Sequence, residues 1–190
     1  MPVTINADTI TGAAVVTADA SGVLALQSAG TTAVTLQSGD TTIAQKLTAV
    51  GTASIAGLKI ADVLENATVS AIAATGTIAY DVTTQAVLYY TSNASANWTV
   101  NFRGSSGTSL NTLMATGESL TVAFLVTQGS TAYYNNVVQV DGTTSGVTTR
   151  WLGGAPTAGN ASGIDSYRYL IIKTANATFT VLASVVQFKA

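Results

Sequence analysis

Tyr89-Tyr90, Tyr133-Tyr134 and Trp151 are the side chains of this chain whose type and spacing could do more than pack. Adjacent side chains of an extended strand face opposite ways, so one tyrosine of each pair is expected to point outward. An outward ring on a β scaffold can stack on a sugar or sit in a contact between subunits, which makes these five residues the candidate glycan or interchain contacts. Trp98, in an alternating run, reads instead as core. Reactive groups are scarcer. There is no histidine and no cysteine. That removes the commonest general base, the thiolate nucleophile, the disulfide and the zinc-thiolate site. The nine acids are scattered, and none falls in a run resembling a calcium loop. Asp62 and Glu65 could share a helix face, but a solvated turn is the simpler account. Glu118 and Asp165 are an example of a carboxylate pair that folding would have to bring within roughly 5–10 Å for glycoside hydrolysis. "WLGGAPTAGNASG", Trp151 to Gly163, lacks both the lysine of a phosphate-binding loop and a helix to follow it. The expectation is a chain that is no enzyme, with no catalytic residue, cofactor or metal ligand.

The elements that must position these residues divide at a step in composition. Every aromatic lies between Tyr80 and Phe188, and the first 79 residues have none. The boundary is placed near Glu65-Asn66, giving an N-terminal arm over 1–46, a connector over 47–65 and a β domain over 66–190. In the arm Leu26-Gln27-Ser28 recurs as Leu36-Gln37-Ser38, and Val16, Leu26 and Leu36 stand ten apart between turn-prone residues. Short alternating runs at such a period suit a thin, wound β structure. Its larger apolar residues are too few to hold it alone, so Val16, Leu26 and Leu36 are expected to pack in a core shared between chains. Leu58 to Glu65 could be a short helix or a plain connector.

Beyond the boundary the pattern is of period two. Ile78, Tyr80 and Val82 alternate with polar or small residues, as do Trp98, Val100 and Phe102. Leu120, Val122, Phe124 and Val126 form the cleanest run. Tyr167, Tyr169 and Ile171 follow, then Phe179, Val181, Ala183 and Val185. Gly104-Ser105-Ser106-Gly107, Gln128-Gly129-Ser130, Asp141-Gly142 and Gly153-Gly154 supply the turns. Roughly eight short strands at such spacing predict an all-β, antiparallel, jelly-roll-like sandwich. Ser109 to Ala115 adds one helical turn with Leu110, Leu113 and Met114 inward.

Hydrophobic residues make up 47% of the 190-residue chain and charged residues only 8%, with a formal net charge of −2. Soluble domains usually carry roughly 25% charged residues, and a chain so poor in charge is expected to bury surface against copies of itself or a larger assembly. There is no basic patch, so nucleic acid is a poor partner. No apolar stretch is long enough for a transmembrane helix, so no membrane insertion is expected. The start, Met1-Pro2-Val3-Thr4, lacks the features of a signal peptide, which leads to the expectation of synthesis in the cytoplasm. Asn66, Asn93, Asn97, Asn160 and Asn176 open N-x-S/T triplets. Chance is the better explanation of these in a chain this rich in Asn, Ser and Thr.

"ENATVSAIAATGTIAYDVTTQAVLYYTSNASANWTVNFRG", "GSTAYYNNVVQVDG" and "SYRYLIIKTANATFTVLAS" resemble a domain of virion structural and tail-fibre-like proteins of tailed bacteriophages, notably phages of cyanobacteria. The likeness covers about residues 65–188, with the phrases in the same order. "MPVTINADTITG…TLQSG" is similar, more weakly, to the start of many phage fibre proteins. The resemblance implies a β-rich, usually trimeric appendage of the virion, held to other virion proteins by the arm, and it brings no catalytic residues. It makes a short tail-fibre-like protein in host attachment the leading expectation. A capsid decoration or cement protein is the alternative, and a carbohydrate-binding module, touching a host glycan through the tyrosines, is a third. Unlike longer fibres, this chain has almost no shaft.

Overall fold

The computed structural model describes residues 64–189. The arm, with Val16, Leu26 and Leu36, and the connector up to residue 63, with Asp62, lie outside them. The described residues form nine strands and one helical turn: β1 (Ala67–Ala73), β2 (Gly76–Asp81), β3 (Val87–Ser92), β4 (Trp98–Arg103), α1 (Leu110–Leu113), β5 (Ser119–Thr127), β6 (Asn135–Val140), β7 (Val147–Trp151), β8 (Ile164–Ala175) and β9 (Thr178–Phe188).

From β1 to β7 successive strands alternate between two sheets. The larger runs β1-β3-β5-β8-β9-β7 and the smaller β2-β4-β6. Up to β6 each crossing returns the chain beside the strand before last and parallel to it. Ala67 thus aligns with Val87 and Val87 with Ala123 in the large sheet, while Gly76 aligns with Trp98 and Trp98 with Asn135 in the small one. The winding then sets β7 at the far edge, and the long β8–β9 hairpin fills the space between β5 and β7.

The all-β character and the two-layered arrangement agree with the sequence reading, but the expected antiparallel jelly-roll pairing holds only at β5–β8 and β8–β9. The other five pairs, from β1–β3 to β7–β9, are parallel. The reason is physical. Alternation reports which side of a strand is buried, not which strand lies beside it. Several turn signals that suggested hairpins are corners that carry the chain to the opposite sheet.

The interior is made by the inward rows of both sheets. From the small sheet come Ile78, Tyr80, Trp98, Val100, Phe102, Val138 and Val140; from the large one Leu88, Val122, Phe124, Val126, Tyr167, Tyr169, Ile171, Phe179 and Val181. Trp98 is 1% exposed and meets Phe124 and Tyr167 edge-on with centroids 6.1 and 5.5 Å away, and Phe102 meets Tyr169 at 4.9 Å. These edge-to-face contacts across the gap lock the two sheets together. Polar tips in the core find partners. The Tyr80 hydroxyl lies 2.7 Å from the Ala86 carbonyl and 3.0 Å from that of Ala123, tying β2 to the large sheet. Buried Asn135 donates to the Trp98 and Val137 carbonyls (2.9 and 2.8 Å) and accepts from the Tyr169 hydroxyl (3.2 Å). This occurs where the β4–β6 register slips by one residue, so the side chain replaces ladder bonds that the bulge removes.

Asp141-Gly142 is a two-residue turn with both residues at positive φ, closed by mutual bonds between Val140 and Thr143, as a type I′ turn requires. The Asp141 carboxylate also accepts from the backbone N–H groups of Leu110 and Asn111, at 2.6 and 3.0 Å, and so seats α1. Leu110 and Met114 are buried as expected. Leu113 is not: it is 43% exposed, because the helical turn ends there and Met114 is already extended (φ −98°, ψ 139°), so helical spacing no longer puts the two on one side.

Candidate interaction surface

The five sequence candidates separate in the structure. Tyr90, on the core side of β3, packs edge-on against Phe124 at 5.1 Å, and burial pushes its hydroxyl pKa up. Tyr89 takes the opposite side and is half-buried on the outer face. Tyr133 and Tyr134 are not in a strand: they precede β6, so the alternation argument does not apply to them. Their backbone is clamped instead. Gln128 bonds both the Tyr133 N–H (3.0 Å) and its carbonyl (2.6 Å), and the Asn97 side chain accepts from the Tyr134 N–H (3.0 Å). Trp151 closes β7 with its ring about 6 Å from Tyr167 and Tyr169, so it seals the core rather than standing free on a rim. Tyr90, Tyr133 and Trp151 all pack on the core. The five therefore form no aromatic platform.

The acids separate too. Glu118 is exposed and accepts from the Ala115 N–H, while Asp165 is fully buried. Ser119 and Val126, which adjoin them on the β5–β8 ladder, are seven residues apart, roughly 23 Å along a strand. Glu118 and Asp165 thus cannot flank one glycosidic bond. Asp165 is a structural joint. One oxygen accepts from Gln128 Nε2 (3.0 Å) and the Asn160 N–H (3.1 Å), and the other has no protein partner. Desolvation raises its pKa, opposed by those two bonds. A Cβ on Gly159 would fall 2.2 Å from the Tyr133 carbonyl, so only glycine lets this loop close over the carboxylate. Asn160 is itself buried, donating to the Phe188 carbonyl at 3.0 Å, which leaves no room for a glycan at that triplet. At the other end of β8 buried Lys173 donates to the carbonyls of Asn111 (2.6 Å) and Met114 (2.8 Å). The hydroxyl pKa values of Tyr80, Tyr167 and Tyr169 are likewise raised, chiefly by burial. These hydroxyls stay protonated; those of Tyr80 and Tyr169 donate, and that of Tyr167 accepts from the Asn135 N–H at 3.4 Å.

A polar cleft of about 370 Å³ is lined by Asn101, Arg103, Ser105 and Asp141, but its main polar groups are engaged. Asn101 Oδ1 accepts from the Gly142 N–H, Asp141 holds α1, and Arg103 pairs with Asp81. The pairing raises the Arg103 pKa and keeps it charged. Among the described residues no three acids gather as a metal site would need, and no helix is long and apolar enough to cross a membrane.

What stands out is a difference between the two outer faces. On the small sheet the outward rows are Thr77, Thr99 and Val137, then Ala79, Asn101 and Gln139, then Asp81 and Arg103. On the large sheet one row runs Val69, Tyr89, Leu125, Ser166, Val186; beside it Ile164 pairs with Phe188 and Leu170 with Leu182. Val69, Leu182, Val186 and Phe188 are 64%, 44%, 50% and 56% exposed. Sequence reasoning singled out only Tyr89 from this face. A signal was present in β9, where Leu182, Val186 and Phe188 are interleaved with Val181, Ala183 and Val185, alongside the smaller polar Thr180 and Ser184. Such strands are usually covered on both sides.

Comparison with protein-family models, with curated proteins and with solved structures gives no match.

Proposed function

We propose that this chain is a structural protein of the surface of tailed-phage particles, a short, homotrimeric, tail-fibre-like appendage that contributes to host attachment. The observation that carries the reading is the set of exposed apolar side chains, Val69, Leu182, Val186 and Phe188, on the outer face of the large sheet. Exposed apolar side chains gathered on one face mark a surface made for contact, and they belong to a body whose buried polar groups are spent on its own packing. The resemblance of residues 65–188 to virion structural proteins supplies the setting. In this reading the arm, with Val16, Leu26 and Leu36, fastens the chain to its sister copies and to the particle. The β domain projects from there.

The scattered aromatics speak against a carbohydrate-binding module, which needs exposed rings lying together; here Tyr90 and Trp151 are committed to the core. Particles made without the protein test the proposal. Loss of adsorption to host cells with intact shells is the expected result. Normal adsorption with shells that burst on mild heating would reassign the protein to capsid decoration, and particles unchanged in both respects would refute a virion role.

A further inference from the structure

We infer that the open edge of β2 is a docking site for an extended strand of another polypeptide, one with an apolar side chain at every second residue. The two sheets end in four edge strands, β1 and β7 in the large sheet and β2 and β6 in the small one. Edges left to water usually carry a charge, a proline or a bulge that discourages pairing. β1 has an extra residue between Ser70 and Ala73, and β6 has one after Asn135. β7 holds exposed Arg150. β2 has no such device. Gly76 to Asp81 align with Trp98 to Arg103 without a shift, and the single charge of the strand, Asp81, is paired with Arg103. Among the described residues β2 bonds to β4 alone. Every second N–H and C=O along its six residues, about 20 Å of strand, therefore faces outward. An extended backbone is what matches such a row.

The two layers differ in reach on this side. The Tyr80 hydroxyl meets the Ala86 and Ala123 carbonyls, so β2 stands over β3 and β5. Among the described residues no strand of the small sheet lies above β1. Between the β1 and β2 edges runs a groove of about 210 Å³, lined by Leu88 and Tyr90 of β3, Ser70 and Ile72 of β1 and Ala79 of β2. Ile72 is 50% exposed although it borders this space between the layers. Gln85 closes one end, accepting from Thr68 Oγ1 and donating to the Asp81 carbonyl, both at 2.9 Å.

These features state the chemistry of the occupant. A strand added beside β2 would lie over β1 and set alternate side chains against Ile72 and Tyr90, where apolar groups belong. The side chains between them would continue the outward rows of Thr77 and Thr99, where polar groups belong. The partner segment is an amphipathic strand as long as β2.

The test is fluorescence anisotropy of a labelled six-residue peptide alternating valine with threonine, titrated with the full chain. Saturable binding is expected. Of two further peptides, N-methylated at every valine or at every threonine, one should bind at least about tenfold more weakly and the other about as well, because successive N–H groups of a strand face opposite ways. Ile72→Lys should weaken binding at least about tenfold, whereas Gln139→Lys on β6 should leave it unchanged. If Ile72→Lys loses its near-ultraviolet circular dichroism, Ile72→Thr decides in its place. No binding by the full chain would overturn the proposal. Equal binding of both methylated peptides would overturn pairing through the backbone. A wild type of twice the solution mass of Ile72→Lys would give the edge to a second copy and overturn the assignment to an unlike partner.

Discussion

The two sheets share one interior yet turn opposite surfaces outward. The small sheet shows Thr77, Thr99, Asn101, Gln139 and the Asp81–Arg103 pair. The large sheet shows Val69, Tyr89, Leu125, Leu182, Val186 and Phe188, with Thr121, Arg168, Ser184 and Arg150 among them. Both are built by the same winding, so backbone geometry does not account for the difference. The side chains do, and their choice leaves more large apolar side chains outward on one sheet than on the other. Burying a large apolar side chain is worth roughly 1.5–3 kcal/mol, so several left outward are a standing reason to associate.

Substitutions can break or sharpen this contrast. The largest effect belongs to the interior that both faces share. Trp98→Ala should lower stability by about 3–5 kcal/mol, and denaturant unfolding should show both sheets lost in one transition; loss of one sheet alone would mean that the faces sit on separable units. Asn135→Ala comes next, at about 1–3 kcal/mol, because it strands the Tyr169 hydroxyl and two carbonyls. Its signature is a lower urea midpoint with an unchanged slope.

Asp165 adds a pH dependence that belongs to neither face. Burial raises its folded pKa above the unfolded value of about 3.9. The folded state therefore binds the proton more tightly, and stability should rise as pH falls through the folded pKa, levelling off below about 3.9. Asp165→Asn should remove that rise, as urea midpoints at about pH 7 and about pH 4 would show; an unaltered pH profile would contradict the role given to this group. The smallest effect falls on the polar face. Arg103→Ala breaks an ion pair in which both side chains keep about a quarter to a third of their exposure, and it should change stability by less than about 1 kcal/mol.

The sequence exposed the interior well. Trp98-Val100-Phe102 and Val122-Phe124-Val126 alternate because one side of each strand is buried, and the step at Tyr80 falls inside the first winding of the described domain. Strand partners were not legible. Nothing local distinguishes a corner at Thr83-Thr84, which carries the chain between sheets, from a hairpin turn, and the parallel alignment of Val87 with Ala123 joins residues 36 apart. Tyr133-Tyr134 misled for a related reason: their place is set by Gln128 and Asn97, partners that no periodicity reveals. The outer face could have been read from β9, where Leu182, Val186 and Phe188 stand with Thr180 and Ser184 on the side opposite Val181 and Ala183.

The native chain has no cysteine, so a single one can report on either face. Leu182→Cys and Thr99→Cys, each in the full chain and each exposed to a maleimide reagent without denaturant, probe the contrast most directly. The cysteine at position 182 should react about tenfold more slowly than the one at 99, the difference vanishing in denaturant. Equal rates in the native protein would show both faces open to water and contradict the account.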